Sequence, residues 1–306
     1  MRKIKVMSVR RKFVVYLLSI LILLAASIWW SVKMIYVRHI NSDVALFLAK
    51  TYHLTAGRAT TASEQLTIYL DDYIADEKFA LEYLEKQALA KDEKFEMSTE
   101  QIRDITWEKV LRQNWVNHLA KKNKLTIVDQ DVVDFYNSIG GQENLQQGLK
   151  SAKIDFGQYE NHVIKPSIME AKVYKYLLDN FNDLVGMQKA QNAYQALVDE
   201  GGVFEEVAKE FSDDMTYVED SMFIDLEQLG DFGEPIKNLQ VGEYSKIMVL
   251  PGNPGYYIIW RLQGASLDPD TSKEIKELRG IAIKAKSIDE FFSDWKTNAK
   301  ISRWYK

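Results

Sequence analysis

Between Lys12 and Lys33 the chain runs for 20 residues, Phe13–Val32, without a single charged side chain. At about 1.5 Å of rise per residue, a helix of that length spans about 30 Å, one hydrocarbon core. Trp29, Trp30, Tyr16 and Tyr36 stand where interfacial aromatics belong. Six bases (Arg2, Lys3, Lys5, Arg10, Arg11, Lys12) and no acid precede the run. Basic flanks stay in the cytoplasm, so the bulk of the chain is expected outside. A cleaved signal peptide would use the small residues Ala25-Ala26-Ser27, but the apolar run continues beyond them through Ile28-Trp29-Trp30. A buried helix of a soluble protein is the third reading, and 20 uncharged residues exceed what such a helix needs. The sequence therefore predicts a cytoplasmic tail over 1–12 and a transmembrane anchor over 13–36. The protein would be a single-pass cell-membrane protein with its N-terminus inside.

Beyond residue 12 there are 33 basic and 44 acidic residues, a balance of −11. An acidic body with no basic stripe argues against a nucleic-acid partner. With no cysteine, the chain can form no disulfide, thiolate nucleophile or cysteine-ligated zinc site. Its four histidines are His39, His53, His118 and His162, so chemistry that needs histidine has none after position 162. His118 on a helix, with no second histidine at ligand spacing, reads as a partly exposed polar residue. The acids of 213–220 lack the alternating pattern of a calcium loop. No metal or cofactor is expected.

Proline and glycine divide the rest. Residues 1–165 contain no proline, whereas ten of fifteen glycines fall between Gly186 and Gly280. The first part is predicted helical and the second mixed. Amphipathic stretches read as helices over Thr61–Leu89, Thr99–Lys122, Val128–Ile139 (stopped by Gly140-Gly141) and Asp155–Phe181, with Pro166 kinking or starting a helix. A helix over Gly186–Glu200 closes at Gly201-Gly202. Phe204, Val207, Ala208 and Phe211 form the core stripe of the next. Lys246–Leu250 and Tyr256–Gln263 flank Pro251-Gly252-Asn253-Pro254-Gly255 and read as a hairpin. Leu278–Lys284 reads as a strand. Ser287 and Glu290 form a capping box for a helix carrying Ile288, Phe291, Phe292 and Trp295.

The order within 187–262 resembles a known module. "AYQALVDEGGVFEEVAKEFSDD" followed by "LQVGEYSKIMVLPGNPGYYIIWRL" looks like a parvulin-type peptidyl-prolyl isomerase domain. Upstream, "ITWEKVLRQNWVNHLAKKNKLTIVDQDVVDFYNSI" through "YENHVIKPSIMEAKVYKYL" resembles the helical N-terminal domain of SurA- and PrsA-type extracytoplasmic chaperones. The resemblance implies an α+β chain. After the anchor would come an all-helical chaperone-like domain over 41–183, then a parvulin-like domain over 186–306 with an antiparallel-rich sheet. Family members isomerise X–Pro bonds without cofactor or bond cleavage. They hold the proline ring in an apolar pocket and use two histidines with a cysteine or aspartate.

Residue by residue, Asp214 in "FSDD" matches the cysteine-or-aspartate position and Phe232 the pocket phenylalanine. Leu229 and Met222 match further apolar positions of the substrate site. Tyr257 stands where the second histidine is usual, and Glu219–Phe223 replaces a glycine-rich turn. The strand that opens the family's domain is absent before Gly186, yet "LRGIAIKAKS" over 278–287 resembles it, with Gly280 at the first histidine position. The resemblance thus implies a circular permutation, with 278–284 filling the vacant slot, the 288–298 helix completing the domain, and Gly280 near Tyr257 and Asp214. Catalysis, if kept, would fall to Asp214 and Tyr257. The leading expectation is a folding factor that binds unfolded or partly folded polypeptide clients with weak or lost isomerase activity. An active isomerase and a structural subunit of an envelope complex are the alternatives.

Overall fold

The computed structural model describes residues 9–40, 42–180, 182–225, 234–250, 252, 255–267 and 274–305. They form two compact units: one of residues up to His118, Val128–Pro166 and from Asn298 on, the other of Leu119–Ile127 and Ser167–Thr297. The protein is a mixed α+β chain with antiparallel sheets.

The first unit begins with α1 (Val9–Arg38), whose Ile20–Arg38 part is long and apolar enough to cross a membrane. Ser42 caps α2 (Asp43–Thr51) by accepting the Ala45 N–H at 3.2 Å. β1 (Thr55–Thr60) and β2 (Gln65–Tyr69) pair antiparallel. Next come α3 (Leu70–Ala90), α4 (Thr99–Lys122), α5 (Asp129–Ser138), α6 (Gln142–Ser151) and the short α7 (Phe156–Tyr159). Gly140 and Gly141, at φ 90° and 99°, end α5 as its sequence requires. A π turn over Glu160–Ile164 follows α7.

The second unit takes in most of α8 (Lys165–Asp179), where Pro166 occupies the first turn, its missing N–H costing nothing there. α9 (Leu184–Val198) and α10 (Phe204–Phe211) follow, then a turn of helix, α11 (Thr216–Glu219). The sheet comprises β3 (Met222–Asp225), β4 (Met248–Leu250), β5 (Tyr256–Leu267) and β6 (Glu274–Lys284), with α12 (Glu234–Lys237) between β3 and β4. All neighbours are antiparallel, in the order β3-β6-β5-β4. Residues 278–284 therefore lie inside the sheet, between β3 and β5. α13 (Ile288–Thr297) starts at the expected capping box, with Ser287 N–H donating to Glu290 Oε2 at 2.7 Å and Glu290 N–H to Ser287 Oγ at 3.2 Å.

Strands alternate their side chains between faces. Along β5, Tyr257 and Ile259 share one face of the sheet, and α9 and α10 pack on this sheet. Ile258, Trp260 and Leu262 share the other and form an apolar cluster with Leu278, Ala282 and Ile236.

Two sequence expectations are corrected in the first unit. The region 41–183 is not all-helical, because 61–89 is not one helix: β2 occupies Gln65–Tyr69 and α3 begins at Leu70. Leu66 and Ile68 alternate inward, and the β-branched and aromatic residues Thr67, Ile68 and Tyr69 favour a strand once a partner exists. Moreover, β7 (Lys300–Arg303) pairs with β1, giving the order β2-β1-β7. The residues after α13 thus belong to the first unit's sheet rather than to that of β3–β6.

Candidate functional site: an apolar pocket on the second sheet

Among the described residues, the cluster around Ile258 and Trp260 does not close completely. Met222 and Ile224 of β3, Met248 and Leu250 of β4, and Ile236 of α12 leave a pocket of about 120 Å³ over Ile258 and Trp260. An apolar cavity of roughly 150 Å³ admits a benzene ring and excludes water. This pocket is thus sized for one small ring or branched side chain. Its floor depends on Gly280, which pairs with Trp260 across β6 and β5. A Cβ at position 280 would lie 2.9 Å from the Trp260 ring and 3.1 Å from Ile258 Cδ1. Glycine here is what leaves room for the indole.

The rim is polar and held in place by the sheet. Tyr217 of α11 lies edge-on to Trp260 and to Tyr256, at 5.8 and 5.7 Å between ring centroids. Tyr256 Oη donates to Asp214 Oδ2 at 3.0 Å, while Asp214 Oδ1 accepts the Thr216 N–H at 3.0 Å. The 212–214 turn is tied to β6. Asp213 N–H donates to the Ala282 carbonyl at 2.8 Å, and Asp213 Oδ2 accepts the Lys284 N–H at 2.9 Å. Ser212 Oγ accepts the Ala282 N–H at 3.2 Å.

The hydrogen bonds from Thr216, and then that from Tyr256, hold the Asp214 carboxyl below its ordinary pKa. Burial and the neighbouring Asp214 push the Tyr256 phenol up. Near neutral pH the rim therefore presents a carboxylate accepting from a neutral phenol. Such a pair can accept an N–H from an extended peptide, and its lowered pKa makes the carboxylate a weak base at neutral pH.

The predicted site residues divide. Met222 lines the pocket, Gly280 lies under its floor, and Asp214 is linked to the pocket's Tyr217 through Tyr256. Leu229 and Phe232 lie outside the described residues. Tyr257 does not join Asp214. It is fully buried on the opposite face, where a Cβ on Gly186 of α9 would meet its ring at 3.0 Å. Burial pushes its phenol pKa well up, and its Oη has no hydrogen-bond partner among the described residues. Gly280 likewise faces Trp260 rather than Tyr257, which pairs with Ile283. Period-two alternation explains both departures, because 256, 258 and 260 share the pocket face while 257 turns away. Tyr256, Tyr217 and Trp260 were missed. The alternation along "GYYIIWRL" was the available signal for Tyr256 and Trp260, and nothing local marked Tyr217.

Comparison of the chain with protein-family models, with curated proteins and with solved structures found no match.

Proposed function

We propose that this protein is a membrane-anchored extracytoplasmic folding factor whose second unit binds apolar side chains of unfolded exported polypeptides. The observation that carries the reading is the ring-sized apolar pocket that the described residues leave on the second sheet, with the Tyr256–Asp214 hydrogen bond next to its Tyr217. The resemblance to parvulin-type domains adds support. It led to the expectation that 278–284 lies within the sheet containing 256–263, and β6 lies beside β5. A folded protein rarely presents a free apolar side chain beside an unpaired N–H, whereas an unfolded segment presents both. Isomerase activity is weak or absent in this reading, because no histidine exists beyond His162. An active isomerase is the second reading, favoured by the link of Asp214 through Tyr256 to the pocket's Tyr217. There its carboxylate would favour the twisted amide over the planar one.

Full-length protein in detergent should suppress aggregation of a denatured client while leaving X–Pro isomerisation near its uncatalysed rate, tens of seconds at room temperature. Met222→Asp, at a half-exposed pocket wall, should weaken the suppression without unfolding the protein. Strong acceleration of isomerisation, abolished by Asp214→Ala, would favour the enzyme. No suppression at all would remove the folding-factor reading.

Topology is tested separately. The basic tail places the N-terminus inside, so protease added to intact spheroplasts should digest residues 41–306. Their full protection would reverse the orientation.

A further inference from the structure

α2 carries an apolar face that none of the described residues covers. Ala45 and Ala49 are buried, and α2 packs against α3 and against α1. Val44 and Phe47, one helical turn apart on the outer side, are 68% and 66% exposed. Tyr52, just past the helix, and Val37 on α1 are also exposed. Surface apolar residues scattered singly are ordinary, but these four cluster in sequence around the end of the candidate membrane span.

That end is fixed to the unit. Ile35 is buried, Tyr36 Oη donates to the Thr55 carbonyl at 2.9 Å, and Arg103 Nη2 donates to the His39 carbonyl at 3.3 Å. The half-buried residues of α1 include Val32 and Ile28, on the same face as Ile35. If Phe13–Val32 fills the hydrocarbon core, Arg38 stands about 9 Å above it at about 1.5 Å per residue. The headgroup layer on each side is roughly 5–8 Å deep. α2 begins five residues after Arg38 and packs back on α1, which brings it to that layer.

We infer that α2 lies in the outer-leaflet interface, with Val44 and Phe47 inserted among phospholipid chains just below the headgroups. An amphipathic helix in this position buries its apolar face about 5–10 Å into the headgroup–acyl boundary. Lys33, Arg38 and Lys50 stand near it in the sequence as cations suited to lipid phosphates, and Asp43 in the first turn of α2 is paired with Lys78 at 2.6 Å. The first unit is thereby seated on the membrane by two elements, a span and a foot, rather than hung from a flexible stalk. The inference rests on the membrane-anchor reading.

The chain has no cysteine, so single cysteines can be introduced and labelled without background. Full-length Leu24→Cys, Val44→Cys, Phe47→Cys and Lys50→Cys, each carrying an environment-sensitive fluorophore, would be reconstituted in phospholipid vesicles with shallow- or deep-brominated acyl chains. Deep bromine should quench position 24. Shallow bromine should quench positions 44 and 47 strongly and position 50, where a lysine marks the polar edge of the helix, weakly, and the emission at 44 and 47 should shift to the blue. Quenching at 24 with 44 and 47 as water-exposed as 50 would overturn the inference and leave the anchor intact. A blue shift at 44 and 47 without quenching would mean that protein, such as a second copy, covers the face, and would overturn it too. No quenching at 24 would remove the anchor reading and the inference with it.

Discussion

Trp260→Ala is expected to cost the second unit about 3–5 kcal/mol of stability, the range for deleting a large buried aromatic side chain. The indole is 4% exposed and belongs to the cluster of Ile236, Ile258, Leu262, Leu278 and Ala282. Its loss also removes the edge contact with Tyr217, for which aromatic pairs contribute about 0.5–1.5 kcal/mol beyond burial. The site can collapse only in part, because its opposite partner on β6 is Gly280, with no side chain to swing into the gap. Denaturant unfolding followed by circular dichroism should show a second-unit transition at much lower denaturant, with client binding lost. A loss below about 1 kcal/mol would mean that Trp260 does not support the pocket floor, since even one-methylene core deletions cost that much. Gly280→Val should fail for the reciprocal reason, by overpacking the same ring.

The second large effect lies in the first unit. Glu77 of α3 is 2% exposed and accepts from Arg103 Nε at 3.1 Å through Oε1, while Oε2 has no hydrogen-bond partner among the described residues. Arg103→Met should therefore cost about 3–5 kcal/mol at neutral pH, the result of leaving a buried charge uncompensated. Burial pushes the Glu77 carboxyl above its ordinary pKa, with Arg103 opposing. A carboxyl whose folded pKa is raised binds its proton more tightly in the folded state. Its contribution therefore falls as pH rises through that value and recovers on acidification. Removing Arg103 raises the folded value further, so the deficit relative to wild type should be largest at neutral pH and shrink toward acid. Comparison at each pH cancels Asp76, whose burial is outweighed by the His162 and Lys109 hydrogen bonds so that its pKa is lowered. Glu77→Met combined with Arg103→Met should recover most of the loss. A pH-independent deficit would assign the effect of Arg103 to packing instead.

The elements legible in the sequence were those marked by local chemistry. The helix over the uncharged run, the stop at Gly140-Gly141 and the Ser287–Glu290 capping box each act through residues close in sequence, and each fell where expected, whereas most of the turn over 251–255 lies outside the described residues. The strand over 278–284 was legible for a different reason, since the resemblance implied a vacant slot that only it could fill. What escaped was non-local. β7 is four residues, Lys-Ile-Ser-Arg, too short to show a period, and it pairs with a strand some 240 positions earlier. β2 was absorbed into α3 because Leu66, Ile68 and the apolar stripe of the helix run on without a break. At the site, the match in "GYYII" pointed to Tyr257, and the adjacent Tyr256 proved to hold Asp214 because neighbouring strand positions face opposite ways. The place of the "FSDD" turn is set by Ser212 and Asp213, which bond to β6.

The central claim is that unfolded polypeptide enters the pocket of the second unit. The most direct measurement places a photo-crosslinking amino acid at Met222 in the full-length protein in detergent and adds a client either denatured or native. The account predicts crosslinks to the denatured client only, mapping to apolar residues and competed by a short extended apolar peptide. Equal crosslinking from an exposed position outside the pocket, such as Glu243, or none from Met222 with the protein folded, would contradict it.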